Sequence, residues 1–250
     1  MGKQLVLLLA LLIALPVQAS SDALVEMHSA TIYVKDKARL QRGASLFMNY
    51  CSGCHSLKYL RYNRMAKDLG LTTFAGEVDS DLLYNNLIFT SARQHDPIRI
   101  AMPPEDARQW FGVVPPDLTL TARQRGPQWI YTYLKSFYAD SSRPFGANNL
   151  LIPGVAMPNV LASLQGQVIP ISEDESHPGR ISHLLLTQAG SMDQHQFDSA
   201  LEDLVNFLVY AAEPAQLVRY RMGFWVLIYL FILLGVSWQL KKAYWRKIKH

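Results

Sequence analysis

Cys51-Ser52-Gly53-Cys54-His55 decides how this 250-residue chain is read, because it holds the only two cysteines present. A disulfide across two intervening residues closes a very small loop and removes little entropy from the unfolded chain, so it would be a redox motif rather than a staple. A redox dithiol of the thioredoxin type opens a helix after a strand. Here the pair instead follows residues 39–50, where Leu40, Gly43, Leu46, Phe47 and Tyr50 recur at helical spacing. Structural zinc needs four ligands, and the chain offers no second cysteine pair. Covalent haem attachment uses every residue of the motif. The two thiols add across the vinyl groups of one haem, giving covalent haem c, and the adjacent His55 reaches the iron.

The two ends of the chain place this motif relative to a membrane. Lys3, the apolar run 5–15 and Val17-Gln18-Ala19 form a secretory signal peptide, with cleavage placed after Ala19. A retained signal anchor is the alternative. Residues 222–240 carry no charge, have Trp225 and Trp238 near their ends, and are long enough to cross the hydrocarbon core. Arg219 and Arg221 precede them; Lys241, Lys242, Arg246, Lys247 and Lys249 follow. Positive residues stay on the cytoplasmic side, so the tail is expected inside and the middle of the chain exported. The expected organisation is therefore a signal peptide (1–19), a periplasmic domain (20–214), a linker (215–221), a transmembrane helix (222–240) and a basic cytoplasmic tail (241–250). The whole chain has a net charge of +4, yet residues 20–214 hold 16 basic and 20 acidic side chains. The basic balance is thus a topology signal, which argues against nucleic-acid binding.

Iron in a c-type site commonly takes a second, thioether ligand. Of the eight methionines, Met102 and Met157 each precede a proline, which keeps the local chain extended. Gly154 near Met157 favours that residue, but spacing leaves both open. His95, His177 and His183 lie in polar contexts and are weaker alternatives.

Several further segments then occur in order. Val114-Pro115-Pro116-Asp117-Leu118-Thr119 is followed by Ala122-Arg123-Gln124-Arg125-Gly126, then by Pro153-Gly154-Val155-Ala156-Met157-Pro158, then by Ala211-Ala212-Glu213-Pro214 and Arg219-Tyr220-Arg221-Met222-Gly223. Together with the Cys51–His55 motif, these resemble the cytochrome c1 family, the haem subunit of the cytochrome bc1 complex (ubiquinol–cytochrome c reductase). The resemblance implies Cys51 and Cys54 as thioether attachments, with His55 and Met157 as axial iron ligands. It also implies an arginine at the haem propionates, for which Arg125 is favoured over Arg123. The implied role is relay of electrons from a Rieske iron–sulfur subunit, beside cytochrome b, to a c-type cytochrome acceptor. The complex would be a quinol–cytochrome c reductase contributing to the proton-motive force, although the isolated chain carries no acid–base chemistry of its own. A haem subunit of a terminal oxidase is the nearest alternative; a haem enzyme or gas sensor with an open coordination site is another.

The fold expected is mostly α: a cytochrome c-type haem domain with long loops plus one C-terminal transmembrane helix. Helices are expected over 37–50, 80–89, 127–138 and 193–212, with residues 141–188 mostly loop and at most a short hairpin. Two small acidic groups, Glu77, Asp79, Asp81 and Glu173, Asp174, Glu175, read as solvated loops or helix starts rather than as docking sites.

Overall fold

Asp36 starts the first helix, α1 (Lys37–Tyr50), by accepting hydrogen bonds from the backbone N–H groups of Ala38 and Arg39. The computed structural model to which this helix belongs describes residues 26–171, 181 and 183–246. The signal-peptide segment, the acidic group at 173–175, His177, Lys247 and Lys249 lie outside the described residues. Along α1, Leu40, Gly43, Ala44, Phe47 and Met48 are buried, while Leu46 and Tyr50 pack at the edge of the same core. The buried face is therefore one residue wider on each turn than the Leu40–Tyr50 stripe alone suggests.

That face lies against α8 (Gln194–Ala212), whose start is closed by a capping box: Asp193 accepts from the Gln196 N–H and the Gln196 side chain accepts from the Asp193 N–H. A Cβ on Gly43 would lie 2.0 Å from the carbonyl oxygen of Asp203, so only glycine lets the two helices approach this closely. Phe47 and Phe207 then meet with ring centroids 5.7 Å apart. Arg42 bonds Asp203 at 2.6 Å and Arg39 bonds Glu202 at 3.2 Å, which pairs a carboxylate that is almost wholly buried.

Shorter elements complete the domain. They are α2 (Tyr62–Leu69), α3 (Ser80–Asn86), α4 (Pro104–Phe111), α5 (Thr121–Arg125), α6 (Pro127–Lys135) and α7 (Ala162–Gln165). Asp79 caps α3 and Asp81 lies in its first turn, so the first acidic group is a helix start. Among the described residues, three antiparallel two-stranded ribbons lie between the helices. β1 (Leu57–Arg61) pairs with β2 (Pro97–Ile98), and β3 (Phe137–Ala139) pairs with β4 (Ala147–Asn149). β5 (Gly166–Ile171) pairs with β6 (His183–Ala189). The ribbons account for two departures from the expected layout. Helix α6 ends at Lys135 because Phe137 and Tyr138 pair with Asn149 and Asn148. The 141–188 region, expected as mostly loop with at most a short hairpin, also contains β4 and α7, and its hairpin is a ribbon of six- and seven-residue strands. Helix α3 also stops at Asn86, three residues early.

After Pro214 the chain enters α9 (Gln216–Arg246), a 31-residue helix with mean hydropathy 1.9 over its apolar window and no buried residue. At 1.5 Å per residue its span is about 46 Å, more than a hydrocarbon core of about 30 Å requires. It is long and apolar enough to cross a membrane.

Candidate functional site

The last turn of α1 delivers the cysteine motif. The N–H groups of Cys51 and Ser52 both donate to Phe47 O, and those of Cys54 and His55 both donate to Cys51 O, which winds the five residues into a tight turn. Cys51 is buried and Cys54 half-buried, and the two form no disulfide. Burial, reinforced by the nearby Cys54, pushes the Cys51 thiol up to about 12, and burial also raises Cys54. Redox dithiols work by depressing the attacking thiol. The environment here does the opposite, which disfavours a thiol–disulfide centre.

His55 is oriented by a segment far along the chain. Its Nδ1–H donates to Pro116 O at 2.8 Å, leaving Nε2 as the nitrogen with a free lone pair. Burial lowers the histidine from its ordinary value, against the Pro116 carbonyl and the Asp117 charge, which act the other way. The result is a neutral imidazole with a fixed tautomer, the arrangement that metal-ligating histidines share. The Pro-Pro-Asp-Leu-Thr segment is held for this task. Asp117 accepts from the N–H of Lys58 at 2.8 Å and of Thr119 at 3.1 Å, and the Leu118 N–H donates to Ser56 O at 2.9 Å. Neither Pro115 nor Pro116 has an N–H to satisfy, so the extended chain can present the Pro116 carbonyl to the ring.

Met157 sits on a loop organised by residues that the sequence pattern did not single out. Buried Asn149 accepts from the N–H of Leu151 (2.9 Å) and Ile152 (3.3 Å), and its Nδ2 donates to Tyr133 O at 2.8 Å. Asn148 accepts from the Gly154 N–H at 2.8 Å, and Arg143 donates to Gly154 O at 2.6 Å. Gly154 has φ +78°, the left-handed conformation, while a Cβ there would meet Arg143 only at 3.8 Å. Glycine is thus required by the turn itself and not by close approach to a neighbour. The Asn148-Asn149 pair was the available signal, since such residues bond the backbone of the turns they begin. Met157 packs against the hydrophobic core that contains Cys51, and its Sδ accepts the Tyr133 hydroxyl at 3.4 Å. Burial pushes the Tyr133 hydroxyl up to about 12, so it stays a donor at neutral pH. Met102 is half-exposed just before α4, beyond Ile100, whose N–H bonds Ser56 Oγ at 3.0 Å.

The two arginines of α5 part company. Arg123 reaches Glu213 at 3.1 Å, whereas the Arg125 guanidinium lies over the Trp129 ring, 5.2 Å from its centroid. His95 is exposed and meets Asn63 at 3.0 Å through Nδ1. A separate cleft of about 680 Å³, between β3, α7 and the β5–β6 ribbon, borders Pro158 and Asn159 but includes neither cysteine nor His55.

The model of the Cytochrome C1 family matches residues 27–248, which takes in the cysteine motif, the Met157 loop and α9. The chain belongs to the cytochrome c1 family. The cytochrome c1 of Allochromatium vinosum is 47% identical to it, over 98% of this chain and 99% of that one. A Nitrosomonas europaea protein named ammonia monooxygenase gamma subunit is 43% identical, over 97% of each chain. A solved chain of a hyperthermophilic respiratory complex III covers 98% of this chain and 97% of its own length at 15% identity and a TM-score of 0.43. That superposition is loose, and membership of cytochrome c1 rests on the sequence matches. The family brings with it a c-type haem and electron transport, and the mostly helical domain followed by one long apolar helix is the architecture expected of it.

Proposed function

We propose that this chain is the haem subunit of a quinol–cytochrome c reductase, taking electrons from a Rieske iron–sulfur partner and passing them to a c-type cytochrome. The observation that carries this reading is the family match over 27–248, which joins the haem motif to the anchor in one unit. On this reading residues 1–19 are a removed signal peptide, residues 20–214 face the periplasm of a bacterial inner membrane, and α9 crosses it with the basic tail inside. The charge split between Lys241, Lys242, Arg246 and the acidic domain supports that orientation.

The side chains fit a c-type haem. Cys51 and Cys54 would hold it by thioethers, His55 Nε2 and Met157 Sδ would bind the iron, and Arg125 would face the propionates. When bound, the haem supplies reversible one-electron transfer at its iron. The protein's part is to hold and tune. The Pro116 carbonyl fixes the His55 ring and strengthens its basicity. A thioether at the other axial position favours the ferrous state. If His55 and Met157 both bound the iron, they would leave no open position for a substrate, which would distinguish an electron carrier from a haem enzyme or gas sensor. The anchor keeps the haem domain beside membrane-bound cytochrome b and the donor, where transfer distances are short.

Purification of the full chain with its anchor tests the assembly. Cytochrome b and Rieske subunits are expected to co-purify; an oxidase core or monooxygenase subunits in their place would replace this reading. Axial ligation is tested by two variants of the holoprotein. Met157→Leu should abolish the six-coordinate low-spin spectrum and lower the potential, while Met102→Leu should leave both unchanged. The opposite result would reassign the ligand to Met102.

A further inference from the structure

The aromatic face of α6 ends on the sulfur of Met157. Tyr133 stacks on Trp129 with centroids 5.1 Å apart and planes 7° from parallel, and its ring edge meets Phe137 at 5.2 Å. Its carbonyl is held by the buried Asn149 amide, and the same Asn149 side chain holds the backbone of Leu151 and Ile152 on the way to Met157. Donor and acceptor are thus both positioned from one residue, and the hydroxyl lies 3.4 Å from Sδ. We propose that Tyr133 is a positioning and tuning residue that raises the haem reduction potential by hydrogen-bonding the Met157 thioether. This rests on the reading of Met157 as an axial ligand.

A thioether sulfur has two lone pairs, so it can donate one to iron while accepting a hydrogen bond on the other. An O–H on the second lone pair draws electron density from the sulfur and weakens what it gives to the metal. The ferric state depends more on that donation than the ferrous state does. The hydrogen bond therefore favours the ferrous form, in the same direction as the choice of a soft ligand. The stack on Trp129 matters because a hydroxyl free to rotate would spend part of its time bonded to water instead.

Tyr133→Phe in the full-length holoprotein removes the hydroxyl and keeps the ring. At a fixed ambient potential the ferric-to-ferrous ratio should rise by about two- to fivefold, from the modest net value of one hydrogen bond. At 59 mV per tenfold that is a fall of roughly 20–40 mV. The low-spin spectrum should persist, with the methionine-to-iron charge-transfer band shifted. An unchanged potential and band in Tyr133→Phe would overturn the proposal while Met157→Leu still reports on the ligand. A low-spin spectrum that survives Met157→Leu would overturn both. If Tyr133→Phe fails to mature, 3,5-difluorotyrosine at position 133 keeps the ring and makes the hydroxyl a stronger donor. The potential should then rise, and no change would sink the idea.

Discussion

The Glu213 carboxylate lies 3.1 Å from the Arg123 guanidinium, tying the end of α8 to α5 from 90 residues away in the sequence. The same carboxylate accepts two bonds from Arg219 in the first turns of α9, at 2.5 and 3.1 Å. Pro214 breaks the helix directly after it. The join between domain and anchor is therefore a bidentate ion pair braced by a second arginine, placed where a proline leaves the chain otherwise free to bend.

The first prediction concerns that joint. Hydrogen bonds from Arg219, then the charges of Arg219 and Arg123, hold the Glu213 carboxyl below its ordinary value. A depressed folded value means the contribution is complete above the ordinary glutamate range and lost as pH falls through the folded value. A spin label at Leu217, which is exposed, should be immobilised at neutral pH and loosen when acidified below that range. Glu213→Gln should be loose already at neutral pH and flat across the same window, with the haem spectrum unchanged. A label that responds identically in both proteins would remove the joint from the account.

Gly43→Ala supplies a test of the helix crossing. Alanine gains roughly 1 kcal/mol over glycine in a helix interior. Its Cβ, however, would lie 2.0 Å from Asp203 O and 2.7 Å from Phe207 Cβ. The obstructing atoms belong to the backbone and first carbon of α8, which cannot swing aside, and overpacking typically costs about 1–3 kcal/mol. Contacts this short place the cost at the top of that range, so the clash should win, leaving a net loss of about 2 kcal/mol in denaturant unfolding. A neutral or stabilised variant would mean that α1 and α8 can separate freely.

Arg125 and Arg123 should respond differently when made glutamine. A cation near the propionates stabilises the more reduced, less positive haem, so Arg125→Gln should lower the potential and leave the anchor joint intact. Arg123→Gln should loosen the Leu217 label and leave the potential near its original value. The reverse pattern would assign the propionate role to Arg123, with Glu213 as its support.

How far the sequence could be read depended on whether a feature was contiguous. Helix 37–50 and helix 193–212 were legible because caps and an apolar stripe lie within each segment, and α1 and α8 begin within one residue of those bounds. The short helices α2, α4, α5 and α7 and the two- and three-residue strands were not. Elements of that length are marginal in isolation and form only because the surrounding domain holds them. Helix α6 was overextended by three residues for the same reason: Phe137 and Tyr138 suit a helix face, and only the partner strand at 147–149 takes them out of it.

The sequence alone was enough to pick out a haem-attachment motif and one apolar run long enough to cross a membrane. Cys51 to His55 is one turn of chain, the 222–240 run is one helix, and the charge split is a matter of order; each is local information. Tertiary structure alone decided which groups serve that motif. The Pro116 carbonyl reaches His55 from 61 residues away, Asn149 sets both Tyr133 and the Met157 loop, and Glu213 takes Arg123 while Arg125 goes to Trp129. These pairings depend on packing between elements distant in sequence, where direction and burial, rather than spacing, decide which polar group finds which partner.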